Sequence, residues 1–245
     1  MIRRFEEVSM NAWPALQTII YDGWVLRFAN GITRRSNSIN PIYNSFINID
    51  EKISVCEKIY SVYRLPVIFK MTSESNPANL DYILNSKGYI VDAETSFQVL
   101  KIDKLKFKNF SSVEFNSDVN DYWILNYIKF NNHDENKFDT FKKILNQIIT
   151  NKCLLQLKVE NNVIGCGLGV LEDKFFGLFD IVVNPDLRGR GFGKIIVESI
   201  LSWGISQGAE TAYLQVMLNN PVALGLYEKI GFKEEYKYWY RVKKM

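Results

Sequence analysis

The sequence predicts an α/β fold, and three observations lead to that prediction. Strand-like and helix-like segments alternate along the whole of its 245 residues. The order of segments occurs twice: Asn40-Pro41 recurs as Asn184-Pro185 and Asn76-Pro77 as Asn220-Pro221, each at an offset of 144 residues. Apolar residues make up 47% of the chain and charged residues 23%, the balance of a globular protein. We therefore expect a duplicated α/β fold.

The predicted elements follow from apolar spacing, helix caps and turn dipeptides. In the first half they are a short helix at 9–21, paired strands at 23–30 and 32–39 around Asn30-Gly31, a helix at 50–65, a buried strand at 66–71, a helix at 76–88 and a strand at 95–102. In the second half they are helices near 119–130 and 138–150, strands at 153–160, 163–171 and 175–183, a helix at 191–209, a strand at 211–218, a helix at 220–231 and a closing strand at 237–244.

Residues 101–110 mark the predicted boundary between the halves. This segment carries lysines at every third position or closer and shows no clear apolar period. We therefore predict a first domain at 1–100, a linker at 101–110 and a second domain at 111–245.

Composition argues against several classes of protein. A net charge of +3 without a block of lysines and arginines argues against a nucleic-acid partner. No window approaches the roughly 18 consecutive apolar residues of a membrane span, so we expect a soluble, cytoplasmic protein without a membrane partner. Cys56, Cys153 and Cys166 form no CxxC pair and should be reduced core thiols. The single histidine, His133, lies in a polar run and should be a solvated loop residue, so we expect no metal site.

The stretch NPDLRGRGFGK, residues 184–194, carries the strongest chemical signal in the chain. It follows an apolar strand and opens a helix, with glycines at 189, 191 and 193 among the cations Arg188, Arg190 and Lys194. Glycines allow a sharp turn whose backbone N–H groups stay uncovered, and a helix N-terminus adds positive potential. A phosphate or pyrophosphate is the natural ligand of this segment, which we call the elbow. The alternative is a loop whose glycines only ease the strand-to-helix turn beside surface arginines.

The elbow matches neither of two well-known phosphate-binding loops. A P-loop requires glycine where Arg188 stands and Ser or Thr where Ile195 stands. The dinucleotide fingerprint requires G-x-G-x-x-G, whereas this stretch has G-x-G-x-G. The run GCGLG at 165–169 lies inside a strand and indicates a bulged or closely packed strand, not a ligand site.

Two motifs together resemble those of the GNAT superfamily of acyl-CoA-dependent N-acetyltransferases. RGRGFG fits the Q/R-x-x-G-x-G/A signature of that family, and NPVALGLYEKIGF fits its N-x-x-A-x-x-L-Y-x-x-x-G-F motif. The fixed positions of the second motif are Asn220, Ala223, Leu226, Tyr227, Gly231 and Phe232. The resemblance covers about residues 110–245 and implies a mostly antiparallel sheet with splayed strands, flanked by helices. The first half, which has IYNSFINID in place of the elbow, then reads as a degenerate GNAT-like domain in a tandem pair.

The resemblance implies acetyl-CoA as the co-substrate and a set of residues that bind it. The backbone N–H groups of the elbow would hold the pyrophosphate and stabilise the oxyanion at the thioester. The preceding strand would pair with the pantetheine arm, and the helix after the next strand would line the channel. The implied residues are Ile181, Val182, Val183, Arg188, Gly189, Arg190, Gly191, Phe192, Gly193, Lys194, Asn220, Ala223 and Tyr227.

The resemblance also implies Tyr227 as the general acid that protonates the departing thiolate. A phenol suits this step because its reference pKa is about 10. Without the family, Tyr227 reads as a core aromatic residue of an amphipathic helix. The general base stays open: Asp180 lies on the strand that faces the reaction centre and Glu172 ends the preceding strand, but each is equally plausible as a solvated strand-end carboxylate.

The polar run ITRRSNSI occupies the position of the cofactor-binding strand in the first half. A central strand should be mostly apolar when both of its faces are covered, so Arg34, Arg35 and Asn37 need an explanation. Either they line a cleft at the junction of the halves and recognise a polar acceptor, or they belong to an edge strand whose charges discourage aggregation.

We therefore predict an N-acetyltransferase that moves an acetyl group from acetyl-CoA directly to a primary amine of a small molecule or peptide. Cys153 and Cys166 lack a histidine partner, which argues against a cysteine nucleophile. The alternative from another class is a non-catalytic acyl-CoA sensor, against which Tyr227 argues, because a binder needs no acid there. Use of a longer acyl group is a third possibility.

Overall fold

The structure is a computed structural model that describes residues 1–107 and 110–243. These residues form two compact units. Unit 1 contains Met1–Ser96, Met217–Asn219 and the chain from Tyr236; unit 2 contains Phe97–Val216 and Asn220–Glu235. Our domain bounds of 1–100, 101–110 and 111–245 stay a prediction, and residues 108, 109, 244 and 245 of that prediction lie outside the described chain.

Helices and strands alternate in both halves of the chain, as predicted. The elements of the first half are α1 (Ile2–Ala12), β1 (Gln17–Tyr21), β2 (Trp24–Phe28), β3 (Ile39–Asn40), α2 (Ile49–Val62), β4 (Val67–Thr72), α3 (Leu80–Ser86) and β5 (Ile90–Lys101). Those of the second half are β6 (Val113–Asn116), α4 (Asp121–Phe130), α5 (Phe138–Asn146), β7 (Asn151–Val159), β8 (Asn162–Glu172), β9 (Phe175–Val183), α6 (Phe192–Ser206), β10 (Thr211–Met217), α7 (Pro221–Ile230) and β11 (Lys233–Lys243).

Each unit contains a mixed, mostly antiparallel sheet. In unit 1 the strand order is β1-β2-β3-β4-β11, with β3 and β4 parallel and the other pairs antiparallel. In unit 2, to which β5 contributes residues 97–101, the order is β5-β10-β9-β8-β7-β6; β9 and β10 are parallel and the pairs from β9 to β6 are antiparallel. The predicted fold class is confirmed.

The order of elements in the first half recurs in the second. The run α2, β4, α3, β5 corresponds to α6, β10, α7, β11, and the first residues of matching elements differ by 141 to 144 positions. The closing strands of the two halves are exchanged. Strand β11, which ends the second half, pairs with β4 of the first half. Strand β5, which ends the first half, lies next to β10 of the second half. Each half of the chain therefore supplies a strand to the sheet of the other half.

Arg241 anchors the exchanged strand β11 in unit 1. Its guanidinium donates two hydrogen bonds to the carboxylate of Asp81 on α3, at 2.9 and 2.7 Å. Trp239, on the same strand, also donates to Asp81, at 2.6 Å. The hydrogen bonds from Arg241 lower the pKa of Asp81. A bidentate pair of this kind is geometrically specific, so it fixes β11 against α3.

A buried ion pair joins α1 to β4 in unit 1. Lys70 Nζ donates to the two carboxylate oxygens of Glu6 at 2.8 and 2.6 Å, and the Tyr236 hydroxyl donates to the same carboxylate at 2.6 Å. Glu6 is 1% exposed and Lys70 5%. Both charges are thus removed from water, and each depends on the other for compensation.

Glycines in β8 allow α6 to approach the sheet of unit 2. A Cβ on Gly165 would lie 2.6 Å from Ile196 Cδ1, and one on Gly167 would lie 2.6 Å from Ile200 Cδ1. Both isoleucines are completely buried. The close packing predicted for 165–169 is confirmed, and it fixes the helix whose first turn carries the elbow.

The predicted helix at 9–21 is wrong. Helix α1 ends at Ala12, and residues 17–21 form β1. Pro14 lies between the two elements and not in the first turn of a helix. A proline is tolerated in either place, so its presence did not distinguish them.

The hairpin predicted around Asn30-Gly31 is also wrong in the extent of its second strand, although β2 does pair antiparallel with β3, with Leu26 opposite Ile39. The hairpin turn lies at Asp22-Gly23, where φ is 43° and 80°, and it joins β1 to β2. Residues 32–38 form no strand. Instead, the side-chain oxygen of Asn37 accepts hydrogen bonds from the N–H groups of Ala29 and Gly31, at 2.8 and 2.9 Å, and this closes a loop.

His133 lies in a loop, as predicted, but it is half-buried and not fully solvated. Its ring stacks on Phe141 with centroids 5.7 Å apart and lies 5.9 Å from the ring of Tyr127. Burial lowers the pKa of His133, which favours the neutral imidazole. The aromatic neighbours come from α4 and α5, so the polar run around the histidine gave no sign of them.

The three cysteines are buried free thiols, as predicted. Burial raises the pKa of Cys56 and Cys153 to about 12, so these thiols lack the thiolate form that nucleophiles and metal ligands require. Across residues 1–107 and 110–243, no cluster of His, Cys, Asp and Glu could hold a metal ion. None of the described helices has the length and apolarity needed to cross a membrane.

Candidate active site

The elbow joins β9 to α6 through two glycines in the left-handed region. Gly189 has a φ of 78°, and Gly191, the N-cap of α6, has a φ of 84°. A Cβ on either residue would meet no atom within 4 Å. Backbone conformation therefore requires glycine at both positions, and the space over the elbow is open.

The backbone N–H groups of residues 189–193 are available to bind an anion. Within the part of the chain that the structure describes, none of them donates to another protein group. The last two belong to the first turn of α6, where N–H groups have no intrahelical partner and the helix dipole is positive. Arg190 and Lys194 are exposed beside them, and Lys194 lies 3.6 Å from Glu198.

The side chain of Arg188 anchors the elbow through two hydrogen bonds to backbone carbonyl oxygens. Its Nε donates to the carbonyl oxygen of Val183 at 3.2 Å, and its Nη2 donates to that of Phe130 at 3.3 Å. The first contact reaches the end of β9 and the second the C-terminal end of α4. This side chain therefore ties the elbow to two elements.

Strand β9 separates from β10 before it reaches the elbow. The two strands pair at only three positions, from Phe175 opposite Thr211 to Gly177 opposite Tyr213, among the residues described. Beyond Gly177, β9 keeps its pairing with β8 on its other side. Within the described chain, Ile181–Val183 thus carry backbone groups on the β10 side that no strand pairs, although the carbonyl oxygen of Val183 accepts the hydrogen bond from Arg188. This is the splay that the resemblance implied.

A β-bulge places Asp180 in the splayed part of β9. Cys166 lies opposite Val182 and Leu168 opposite Phe179, so two residues of β9 face one of β8. Asp180 itself has a φ of 52°. A bulge re-aims side chains, and here the half-buried carboxylate accepts a hydrogen bond from the Tyr127 hydroxyl at 3.1 Å. Glu172, the other candidate base, is the half-buried last residue of β8.

Helix α7 begins and ends at motif residues. The side chain of Asn220 accepts a hydrogen bond from the N–H of Ala223 at 3.1 Å and caps the helix. Gly231 follows the last turn with a φ of 112°. A Cβ on Gly193 would lie 3.4 Å from Leu226, so the two motifs meet where α6 begins.

Tyr227 lies on the buried face of α7. Its ring is 5.9 Å from that of Phe232, and 9% of the residue is exposed. Burial raises the pKa of Tyr227 to about 12, so the phenol is neutral at physiological pH.

In unit 1, the segment before α2 holds a carboxylate of the chain itself. Asp22, in the β1–β2 turn, accepts hydrogen bonds from the N–H groups of Phe46 and Ile47, each at 2.9 Å. The hydroxyl of Ser45 and the ammonium of Lys52 donate to it at 2.9 and 3.0 Å. The hydrogen bond from Ile47 is the largest cause of a lowered pKa of Asp22.

This segment is the counterpart of the elbow. Residues 46 and 47 stand 144 positions before 190 and 191, and both segments lead directly into matching helices. Among the described residues, the N–H groups of residues 189–193 in unit 2 have no protein acceptor, whereas those of Phe46 and Ile47 in the matching segment of unit 1 donate to the carboxylate of Asp22.

The predicted substrate residues of the first half lie in the loop at 32–38. Arg34 is exposed and forms an ion pair with Asp92 at 2.5 Å. Arg35 lies over the ring of Trp13, with 5.4 Å to its centroid. Asn37 is buried, and its side-chain oxygen accepts hydrogen bonds from backbone N–H groups of the loop. Their role toward an acceptor stays a prediction.

Tyr127 is a site residue that the sequence analysis missed. It lies in an apolar helical pattern, where a tyrosine reads as core, and 53 residues separate it from Asp180. No local motif signals a contact of that sequence separation.

Comparisons with known proteins identify acetyltransferases as relatives of this chain. A family model described as "Probable histone acetyltransferase Rv0428c C-terminal" matches residues 1–241 of this chain. The chain is 26% identical over 253 residues to "Uncharacterized N-acetyltransferase YobR" of Bacillus subtilis (strain 168), with 99% of each protein covered.

Two further relatives match over shorter stretches. A spermidine N(1)-acetyltransferase of Vibrio cholerae is 24% identical over 152 residues, which are 59% of this chain and 82% of the relative. A ribosomal protein bS18-alanine N-acetyltransferase of Salmonella typhimurium is 39% identical over 57 residues, 23% of this chain and 38% of the relative. Relatives of this chain are thus N-acetyltransferases.

Solved structures show the same fold. A GCN5-related N-acetyltransferase from Kribbella flavida aligns with a TM-score of 0.73 at 10% identity, over 99% of this chain and 95% of the other. A tandem GNAT protein from the clavulanic acid biosynthesis pathway aligns with a TM-score of 0.62 at 7% identity, over 97% and 86%. The tandem architecture is therefore shared with a solved protein.

Proposed function

This chain belongs to the family described as probable histone acetyltransferase Rv0428c C-terminal, which is of GNAT type, and we propose that it transfers an acetyl group from acetyl-CoA to a primary amine. The observation that carries the proposal is the elbow. Its backbone N–H groups at 189–193 stand open at the start of α6, directly after the splayed end of β9. The names of the relatives support acyl transfer to an amine.

The residues present fit acetyl-CoA. The elbow would hold the pyrophosphate, because its N–H groups and the helix dipole favour an anion and Arg190 and Lys194 add positive charge. Ile181–Val183 would pair with the pantetheine arm through the backbone groups that β10 leaves open. Asn220 and Ala223, at the start of α7, would line the channel. When bound, acetyl-CoA supplies the acetyl group as an activated thioester.

Tyr227 would act as the general acid. Its raised pKa keeps the proton on the phenol until the bond between acyl carbon and sulfur breaks, when Tyr227 gives it to the departing thiolate. The apolar surroundings that raise the pKa of the phenol also disfavour a free thiolate, so the proton transfer stays feasible. The new bond joins the acyl carbon to the amine nitrogen.

The proposed acceptor is a primary amine of a small molecule or a peptide. Spermidine and an N-terminal alanine are the first acceptors to examine, because two relatives carry these names. We also propose that unit 1, which has Asp22 in place of an open elbow, does not catalyse.

The test uses the full chain in two steps. Calorimetric titration with acetyl-CoA should give one equivalent of binding. A panel of amines that includes spermidine and an alanine-terminated peptide is then assayed by release of the free thiol. Tyr227→Phe should retain the affinity for acetyl-CoA but lower the rate about 10²- to 10⁴-fold. The control, Tyr63→Phe, changes an exposed tyrosine and should leave both values unaltered.

Three outcomes would count against the proposal. Absence of acetyl-CoA binding would remove its basis at the elbow. An unchanged rate in Tyr227→Phe would remove the general acid. Binding of one equivalent without transfer to any amine would favour an acyl-CoA sensor.

A further inference from the structure

The contact between Tyr127 and Asp180 lies where the acceptor would react. Asp180 is three residues beyond Gly177, the last residue of β9 that pairs with β10. Its carboxylate oxygen Oδ1 accepts a hydrogen bond from the Tyr127 hydroxyl at 3.1 Å. The left-handed conformation at Asp180 is uncommon for an aspartate in a strand, and such strain concentrates at functional sites.

Aromatic packing holds Tyr127 in place. Its ring stacks on Trp123 with centroids 5.4 Å apart and planes at 9°, and it meets Phe141 edge-on at 5.3 Å. Trp123 is fixed in turn, because its indole N–H donates to the carbonyl oxygen of Leu155 at 2.9 Å. Tyr127 is 6% exposed. Its hydroxyl therefore has little freedom to leave Asp180.

Helix α4 is tied to the elbow as well. The carbonyl oxygen of Phe130, the last residue of α4, accepts the hydrogen bond from Arg188 at 3.3 Å. One turn of this helix thus contacts both the bulge of β9 and the elbow. A side chain on that turn has a fixed position relative to both parts of the site.

We propose that Tyr127 is a positioning residue that holds Asp180 as the proton acceptor for the incoming amine. This inference rests on the proposed function. Asp180 takes one proton from the acceptor ammonium, which frees the electron pair on nitrogen for attack on the acyl carbon. The proton then passes from Asp180 to solvent, and the thiolate receives its proton from Tyr227. After the attack the nitrogen gives its second proton to solvent, and Tyr227 recovers one proton from solvent, so that one proton is released in each turnover. The Tyr127 hydroxyl keeps its own proton throughout and fixes the direction of the carboxylate.

The test compares four variants with the wild type in the assay described above: two here, and two in the double-mutant cycle below. Tyr127→Phe removes the hydroxyl and keeps a ring that can stack on Trp123. It should lower kcat for the amine about 10- to 100-fold, the worth of a hydrogen bond to a charged group, without changing the Kd of acetyl-CoA. Tyr122→Phe, an exposed tyrosine on the same helix, should leave kcat unchanged.

A double-mutant cycle separates positioning from simple packing. In Asp180→Asn, measured at high enzyme concentration, the additional change Tyr127→Phe should lower the residual rate no further. Equal effects of Tyr127→Phe with and without Asp180 would overturn the inference, as would an unchanged kcat in Tyr127→Phe alone. Absence of transfer by the wild type would overturn the proposed function together with this inference, whereas a fully active Tyr127→Phe overturns this inference alone.

Discussion

Replacement of Gly191 by alanine should cost more in acetyl-CoA affinity than in stability. At a φ of 84° an alanine costs about 1–2 kcal/mol of unfolding free energy. The fold adds no steric cost, because the new Cβ would meet no atom within 4 Å. The methyl group would instead stand over N–H groups that we assign to the pyrophosphate. Loss of one hydrogen bond to a charged group is worth about 1.5–3 kcal/mol, so Kd should rise about 10- to 100-fold.

Gly208 provides a matched control at the other end of α6. Its φ is 88°, and a Cβ there would also meet nothing within 4 Å. Gly208→Ala should therefore lose as much unfolding free energy in urea titrations as Gly191→Ala does. Calorimetry should show weaker acetyl-CoA binding in Gly191→Ala alone. Equal Kd values for the two variants would refute the assignment of the elbow.

Two further predictions concern unit 1. Glu6→Gln leaves the buried ammonium of Lys70 without its charge partner and should cost about 3–5 kcal/mol in urea unfolding; a loss below about 1 kcal/mol would contradict the pairing. Arg241 lowers the pKa of Asp81 in the folded state, so the resulting stability is present above the unfolded pKa of about 3.9 and is lost as the pH falls through the lower folded value. Asp81→Asn should accordingly flatten the fall of unfolding free energy between about pH 5 and pH 3, and an unchanged slope would contradict this coupling.

The sequence was most informative where structure depends on neighbours along the chain. Strands β7, β8 and β9 were predicted within two residues because apolar runs and turn residues mark them. The bends at Gly189 and Gly191 were likewise predictable, since a left-handed backbone requires a particular residue type.

Features that depend on distant partners were not predictable. The exchange of β5 and β11 is one example: both closing strands fit either sheet, and periodicity does not specify which strand lies beside them. The hairpin at Asp22-Gly23 is another, because Asn30-Gly31 is an equally strong turn signal until Asn37 closes a loop around it. The pair of Tyr127 and Asp180 belongs to the same class.

The carboxylate of Asp22 makes the segment before α2 differ from the elbow in its availability to anions. Because this carboxylate is part of the chain, it stays next to the N–H groups of Phe46 and Ile47 at a high effective concentration. A dissolved anion would have to compete with Asp22 for these N–H groups. The segment of unit 1 that matches the elbow therefore carries its own anion, and Asp22→Ala would remove that anion from the N–H groups of Phe46 and Ile47.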